Sequence, residues 1–438
     1  MSAGALGAIV LGATLLMLLS GAPVAFGLGA MSLGIIVAVD GFDGLNRVAE
    51  IFYSGLDDFT LVSIPMFVMM GAAIGSSPAG KDLYEALDRW LYRLPGGLVI
   101  ANLSACAMFA ALTGSSPACC AAIGRMGIPE MRRRGYPDGV ATGSICAGGT
   151  LGILIPPSIT FILYGIATET SIGRLFLAGV IPGLMLTGLF ILWTLFAITR
   201  SDFHANAPRI RYNFKEKLAA IPKIAPFLAI VVGVIYVLYG GVATPSEAAG
   251  VGAALCLLFA VVIYRLWKID QLWGILRDTT RESVMILMII AAAVLFGHVL
   301  TSLYLTQTLA QSIADMHANR WVLMGVINLF LLVCGFFIPP AAIILMTSPI
   351  LLPIITAAGF DPVWFGVILT INMEIGLIHP PVGLNIYIVN SIAPDVPVTR
   401  VMWGTIPYVL CMFLAIVILC IFPEVATWLP DYLMGPGH

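Results

Sequence analysis

The chain has 438 residues, 60% of them hydrophobic and only 10% charged, with a mean hydropathy of +1.02. Soluble domains carry about 25% charge, so too little polar surface is present to cover a water-soluble globule, and the chain reads as an all-α polytopic membrane protein. A net charge of −2 gives no general pull toward nucleic acid; a channel, a carrier and an intramembrane enzyme all stay open.

The N-terminus lacks the basic flank of a signal peptide, so its first apolar run is expected to be a retained helix. Apolar windows of about 17–25 residues predict ten spans, over 4–20, 23–39, 58–77, 139–170, 172–199, 223–242, 246–266, 284–303, 362–393 and 401–422. After the third span, Lys81 to Trp90 reads as an amphipathic helix on the inner surface, or as an arm linking moving and fixed parts. Segments 95–129 and 321–358 are interrupted at Thr113-Gly114-Ser115-Ser116-Pro117 and at Phe337-Ile338-Pro339-Pro340. Their halves are mostly short of a crossing, so each segment reads as a re-entrant helical hairpin. The eight cysteines show neither a CxxC pair nor a histidine at zinc spacing, and read as small buried side chains.

Placing both ends of the first hairpin inside puts 18 of the 21 basic residues inside, all but Arg47, Arg174 and Arg320. Both termini then fall outside. The run Arg132-Arg133-Arg134 reads as a topology anchor, and Arg125 as a side chain that snorkels to the inner interface. The chain also repeats itself at an offset of 224 residues: Pro129 matches Pro353, Gly152 matches Gly376, and Pro156-Pro157 matches Pro380-Pro381. Each half holds five spans and one hairpin. Five is odd, so the second half is inserted upside down relative to the first, the inverted repeat of secondary transporters.

Within the fourth span, Gly148-Gly149-Thr150 and Gly152 lead into Pro156-Pro157; the ninth holds Asn372, Glu374, Gly376, His379, Pro380-Pro381 and Asn385. Proline removes an amide donor and clashes with the preceding turn, so both spans should break. Backbone freed at membrane depth must be paired or wetted, and two matched breaks beside two hairpin tips mark a polar cavity. Free carbonyls suit Na⁺; half-helix N-termini suit a carboxylate. Ser115 and Ser116 would ligate an ion or substrate, or cap the two short helices. Asn372 and Asn385 would serve as amide ligands or as interhelical hydrogen-bonders. Glu374 is either a coupling-proton or substrate contact, or an acceptor for freed amides that holds the broken helix together. A Na⁺ position is expected among Ser115, Ser116, Gly149, Asn372 and Gly376.

The runs GSSPACCAAIG, IPEMRRRGYPD, ATGSICAGGTLGILIPPS and SIGRLFLAGVIPG in the first half resemble the large membrane subunit of tripartite ATP-independent periplasmic (TRAP) transporters, DctM-like. So do AIILMTSPILLP, FDPVWFGVI, INMEIGLIHPPVGLN and SIAPDV in the second. The resemblance covers essentially the whole chain. It implies a multi-pass subunit of the bacterial inner membrane that is not an enzyme. It also implies a small four-helix membrane subunit, expected as a separate chain, and a soluble periplasmic substrate-binding protein. Elevator-type transport of an organic anion, such as a C4-dicarboxylate or sugar acid, coupled to Na⁺, follows from the same resemblance. Ion sites are implied around Gly114, Ser115 and Ser116, the Gly148-to-Pro157 turn, Pro339-Pro340 and the Asn372-to-Pro381 turn. The family often has an acidic residue where this chain has Pro339 and a threonine where it has His379, so a proton at His379 is an alternative to one Na⁺.

The transport domain is expected over 95–170 and 321–393, with scaffold over 1–94, 171–320 and 394–438. Three rivals are defined by their chemistry. A carrier of the citrate type would work without a binding protein, and a passive channel would pass bulk ion current. An intramembrane serine protease would use Ser115 or Ser116 with His298 or His379 as base.

Overall fold

The computed structural model describes residues 12–14, 16–17, 21–94, 96–200, 212–239, 242–305, 308, 311, 319–380 and 383–435. Among them every regular element is a helix and no strand occurs. Helix α1 (Val24–Asp40) is followed by α2 (Val48–Leu56) and α3 (Ser63–Gly75), then the amphipathic α4 (Ala79–Leu91). The first hairpin is α5 (Gly97–Thr113) and α6 (Ser116–Arg133). The fourth span is broken into α7 (Asp138–Thr150), a short 3₁₀ turn over Leu151–Ile153, and α8 (Ile159–Thr168). The long α9 (Ile172–Arg200) closes the first half.

The second half begins with a short α10 (Phe214–Leu218), then α11 (Ile221–Tyr239), α12 (Pro245–Val262) and α13 (Ile269–Ser302). The second hairpin is α14 (Arg320–Gly335) and α15 (Pro340–Ala357); the second broken span is α16 (Pro362–Ile378) and α17 (Leu384–Ile392). α18 (Val398–Ile421) and α19 (Glu424–Met434) end the chain. Local chemistry sets the starts: Thr244 and Glu247 form a reciprocal capping box at α12, and Asp361 accepts the Trp364 amide at 2.8 Å with Pro362 at the first helical position of α16.

The two halves are the same construction. Elements α6 and α15 begin 224 residues apart and have the same length of 18 residues. Contacts are reciprocal: α6 packs on α17 and α15 on α8, α7 on α18 and α16 on α9, α1 on α13 and α12 on α3. A pseudo-two-fold axis between the halves produces this pattern. The bent pair α2 and α3, which meet at 63° across the 3₁₀ turns, corresponds to the single long α13.

Six described helices are long and apolar enough to cross a bilayer, or seven if the bent pair is one span. The ten predicted spans differ from this count for identifiable reasons. Most of 4–20 lies outside the described residues, α1 has only 17 residues, and the two proline-containing spans are each split into short helices. In the other direction, α15 alone is long and apolar enough to cross, although it was read as one limb of a re-entrant loop. The breaks are also narrower than expected. Gly148 to Thr150 and Asn372 to Gly376 remain helical, and among the described residues the interruptions are confined to 154–158 and to His379, Pro380 and Gly383. Proline loses only its own donor and crowds only the turn before it, so residues further upstream keep their bonds.

Candidate functional site

The tip of the first hairpin is built on a glycine. Gly114 ends α5 with φ of 57°, in the left-handed region, and a Cβ there would lie 2.9 Å from the Pro157 carbonyl oxygen. The tip therefore sits directly on the Pro156-Pro157 turn of the broken helix. One residue on, a Cβ at Gly152 would meet the Ser115 carbonyl oxygen at 2.7 Å. Ser115 makes no side-chain capping bond, so the capping alternative does not describe it. Ser116 is buried and accepts from Asn385 Nδ2 at 2.8 Å, and the same nitrogen lies 3.2 Å from the Cys146 carbonyl. Asn385 Oδ1 is left buried without a partner among the described residues. Gly149 lets Asn385 approach, since its Cβ would be 3.3 Å from Nδ2. Gly148 packs against Cys106, and Thr150 spends its hydroxyl on its own helix, bonding the Ala147 carbonyl at 2.7 Å.

The second half repeats the arrangement with different side chains. A Cβ at Gly376 would fall 2.4 Å from the Gly335 carbonyl oxygen, so hairpin and broken helix touch through their backbones. Asn372 donates to Asn328 Oδ1 and to the Ile368 carbonyl, leaving its own Oδ1 buried and without a partner among the described residues. Pro339 is extended and Pro340 opens α15, so this tip offers carbonyls but no hydroxyl or carboxylate. His379 sits at the break, half-buried, its ring stacked on Phe336 with centroids 4.6 Å apart. Pro380 follows it in the turn; Pro381 lies outside the described residues.

Glu374 corrects the structural alternative offered for it. It is fully buried in α16 and neither carboxyl oxygen has a hydrogen-bond partner among the described residues, so it holds no freed amide. The amides it was expected to bind are still engaged in helix, because the break begins five residues later. The five residues grouped for Na⁺ also divide. Ser116 and Gly149 meet Asn385 and Ser115 meets Gly152 through its carbonyl, whereas Asn372 and Gly376 meet Asn328 and Gly335 respectively. Asn385 thus crosses from the second half to serve the first-half tip. Among the described residues neither Ser115 nor Ser116 bonds a histidine: Ser116 pairs with Asn385, the ring of His379 bonds the Pro380 carbonyl, and His298 is exposed on α13.

Sequence reasoning missed several contributors. Ser158 caps α8 by accepting from the Phe161 amide and donates to the Ile153 carbonyl at 2.5 Å, and its place between Pro157 and an apolar run was a readable cap signal. Asn328 was legible only as a polar residue in an apolar helix. Gly335 had no local signal.

A cavity of about 230 Å³ lies beside the first tip. Ser115 and Thr113 close one end, Ala121, Ala122 and Arg125 of α6 form one wall, and Gly71 and Gly75 of α3 form another. Asp278 and Glu282 of α13 complete it. The repeat-related place is filled: Ala118, Ala121 and Ala122 correspond to Ala342, Leu345 and Met346, which are all buried, and α15 packs on α13. Below the cavity, the hairpin base is an ion-pair hub rather than only an anchor. Arg134 bridges Asp88 of α4 at 2.8 Å and Glu130 at 2.7 Å, and Arg132 bridges Asp138 and Asp395. Burial works against the charge of Arg134, but hydrogen bonds to Asp88 and Glu130 outweigh it and raise its pKa above the ordinary value. Lys223 of α11 holds the other end of α4 through Asp82 and Glu85. The α4 arm therefore ties α11 to the hairpin base rather than floating on a surface.

Two hairpin tips seated on two broken helices, inside a repeat of apolar helices, define a multi-pass membrane protein of the transporter type. The chain belongs to the family described as the tripartite ATP-independent periplasmic transporter, DctM component, whose model matches residues 11–425. It is 37% identical over 391 residues to the C4-dicarboxylate TRAP transporter large permease protein DctM of Pseudomonas aeruginosa, covering 89% of this chain and 91% of that one. It is 31% identical to the sialic acid TRAP transporter large permease protein SiaM of Vibrio cholerae, covering 96% and 98%. Its fold is similar to the crystal structure of the YdaH transporter of Alcanivorax borkumensis, with a TM-score of 0.62 over 97% of this chain and 99% of that one, at 16% identity.

Proposed function

We propose that this chain is the permease subunit of a secondary-active importer in the bacterial inner membrane. In this reading it takes an organic anion from a periplasmic binding protein, works beside a small membrane subunit, and couples transport to Na⁺. The cargo class is suggested by relatives named for C4-dicarboxylates and for sialic acid, both of them carboxylates. The hairpins and broken helices, 95–170 and 321–393, would move as an elevator against scaffold formed by 1–94, 171–320 and 394–438. Both termini would be periplasmic.

The observation that carries this reading is the asymmetry between repeat-related interfaces. The first hairpin faces its scaffold across a cavity, while the second is packed tight against α13. In this reading, halves that differ in this way leave the first hairpin accessible from one side of the membrane, and exchange of the two packings would expose the other side.

The residues present suit Na⁺. Hard monovalent cations take neutral oxygens, and two buried amide oxygens without partners, Asn385 Oδ1 and Asn372 Oδ1, stand beside the two tips. Ser115, Ser116 and the backbone near Gly149 and Gly152 would complete the first position. Backbone around Gly335, Pro339 and Gly376 would complete the second. A bound Na⁺ would supply charge that draws an anion to these tips. Glu374 and His379 are the ionisable groups between Asn372 and Pro380, and a proton on His379 is the alternative to the second Na⁺.

The test is uptake by vesicles holding this chain with its small subunit, fed by the binding protein, using labelled succinate and N-acetylneuraminate. Uptake that requires both the binding protein and an inward Na⁺ gradient is expected. Uptake without the binding protein would favour a citrate-type carrier. Uptake that is Na⁺-dependent and insensitive to pH would remove the proton from His379.

A further inference from the structure

Arg125, expected to snorkel to the inner interface, differs from the three arginines that follow it on the hairpin. Arg132, Arg133 and Arg134 lie two turns nearer the hairpin base and are all ion-paired. Arg125 stands above them, lines the cavity, and makes no ion pair with any described residue. Its flanks are small, Ala121 and Ala122 on its own helix and Gly75 across the gap, so the guanidinium stays reachable from the cavity. Asp278 and Glu282 line the same space from α13, yet neither closes on it.

Ser115 immediately precedes α6 and Arg125 lies ten residues further on, which is about 15 Å along the helix. A small carboxylate cannot touch both at once. We propose that Arg125 is a second, release-side station for the cargo carboxylate, and that Asp278 and Glu282 are the groups that displace the anion from it. The planar guanidinium binds a carboxylate through two parallel hydrogen bonds. The two scaffold carboxylates repel that anion and compete for the same guanidinium, so the station holds cargo briefly and then delivers it. This end of the hairpin is the basic end that the positive-inside pattern places in the cytoplasm. The inference rests on the reading of the chain as an anion carrier.

The experiment uses the full complex in vesicles and whichever of succinate and N-acetylneuraminate the wild type carries. KM is measured separately for binding-protein-delivered external cargo and for preloaded internal cargo in counterflow. Arg125→Gln is expected to raise the internal KM at least tenfold and the external KM less than twofold, with Arg125→Lys in between. Asp278→Asn with Glu282→Gln is expected to lower the internal KM and slow net uptake several-fold. A merely structural arginine would move both KM values or neither. Unchanged internal KM in Arg125→Gln overturns the station; should that variant fail to assemble, unchanged internal KM in Arg125→Lys together with the scaffold double variant overturns it equally. If the wild type carries neither acid, the anion-carrier reading falls first and this inference falls with it.

Discussion

Asn385 does two things with one side chain. Its nitrogen ties the Ser116 hydroxyl to the Cys146 carbonyl, and its oxygen remains buried and unpaired. Replacing it with alanine strands buried partners, at about 1–3 kcal/mol for an unsatisfied group. Asn385→Ala is therefore expected to lower the melting temperature of the detergent-solubilised complex and to raise the Na⁺ concentration for half-maximal uptake; a Na⁺ titration indistinguishable from wild type would remove Asn385 from the ion site. Glu374 poses a different question, because a fully buried carboxyl with no hydrogen bond contributes nothing visible to stability. Glu374→Gln keeps its volume and is expected to fold as well as wild type, while losing at least tenfold in uptake. Thermal stability and uptake that both stay at wild-type levels would make Glu374 a filler.

Helix contacts are set by glycines where backbones meet. Gly152 and Gly376 occupy repeat-related positions, and each receives the tip of the hairpin in its own half against its Cα. An added methyl would need to displace the Ser115 or Gly335 carbonyl, and overpacking of this kind costs about 1–3 kcal/mol. Gly152→Ala and Gly376→Ala are both expected to lower thermal stability and weaken Na⁺ dependence, since the tip carbonyls would be pushed from their places; melting curves at several Na⁺ concentrations read both effects. A change in melting that is the same at every Na⁺ concentration would separate the tips from ion binding. These breaks were legible from proline and glycine spacing alone, because proline chemistry is local. Their width was not, because upstream amides remain bonded and only coordinates show where bonding resumes.

For the whole molecule, the asymmetry beside the two hairpins defines a state. Ala122 faces the cavity and its repeat-mate Met346 is buried. A cysteine at 122 is expected to react with an impermeant maleimide added from the cytoplasmic side, and one at 346 is not. Under Na⁺ with binding protein and cargo, labelling at 122 is expected to slow as the cavity closes; labelling at 122 that never changes would argue against exchange of the two packings. The six buried native cysteines give little background, and the half-buried Cys411 and Cys420 serve as the control.

Composition and periodicity determined by themselves that this is a helical membrane protein with two matched halves, each with one hairpin and one broken span. They could do so because apolar length, proline breaks and repeat spacing are properties of the chain before it folds. Tertiary structure alone decided which polar groups share a place. It moved Asn385 to the opposite half, left Glu374 without a hydrogen-bond partner among the described residues, separated Asn372 from Ser116, and set Arg125, expected to snorkel to the interface, in the wall of a cavity. The reason is physical: a residue's partners across a pseudo-two-fold axis are hundreds of positions away in sequence, and which hairpin is packed and which lines a cavity depends on how helices distant in sequence are set against each other.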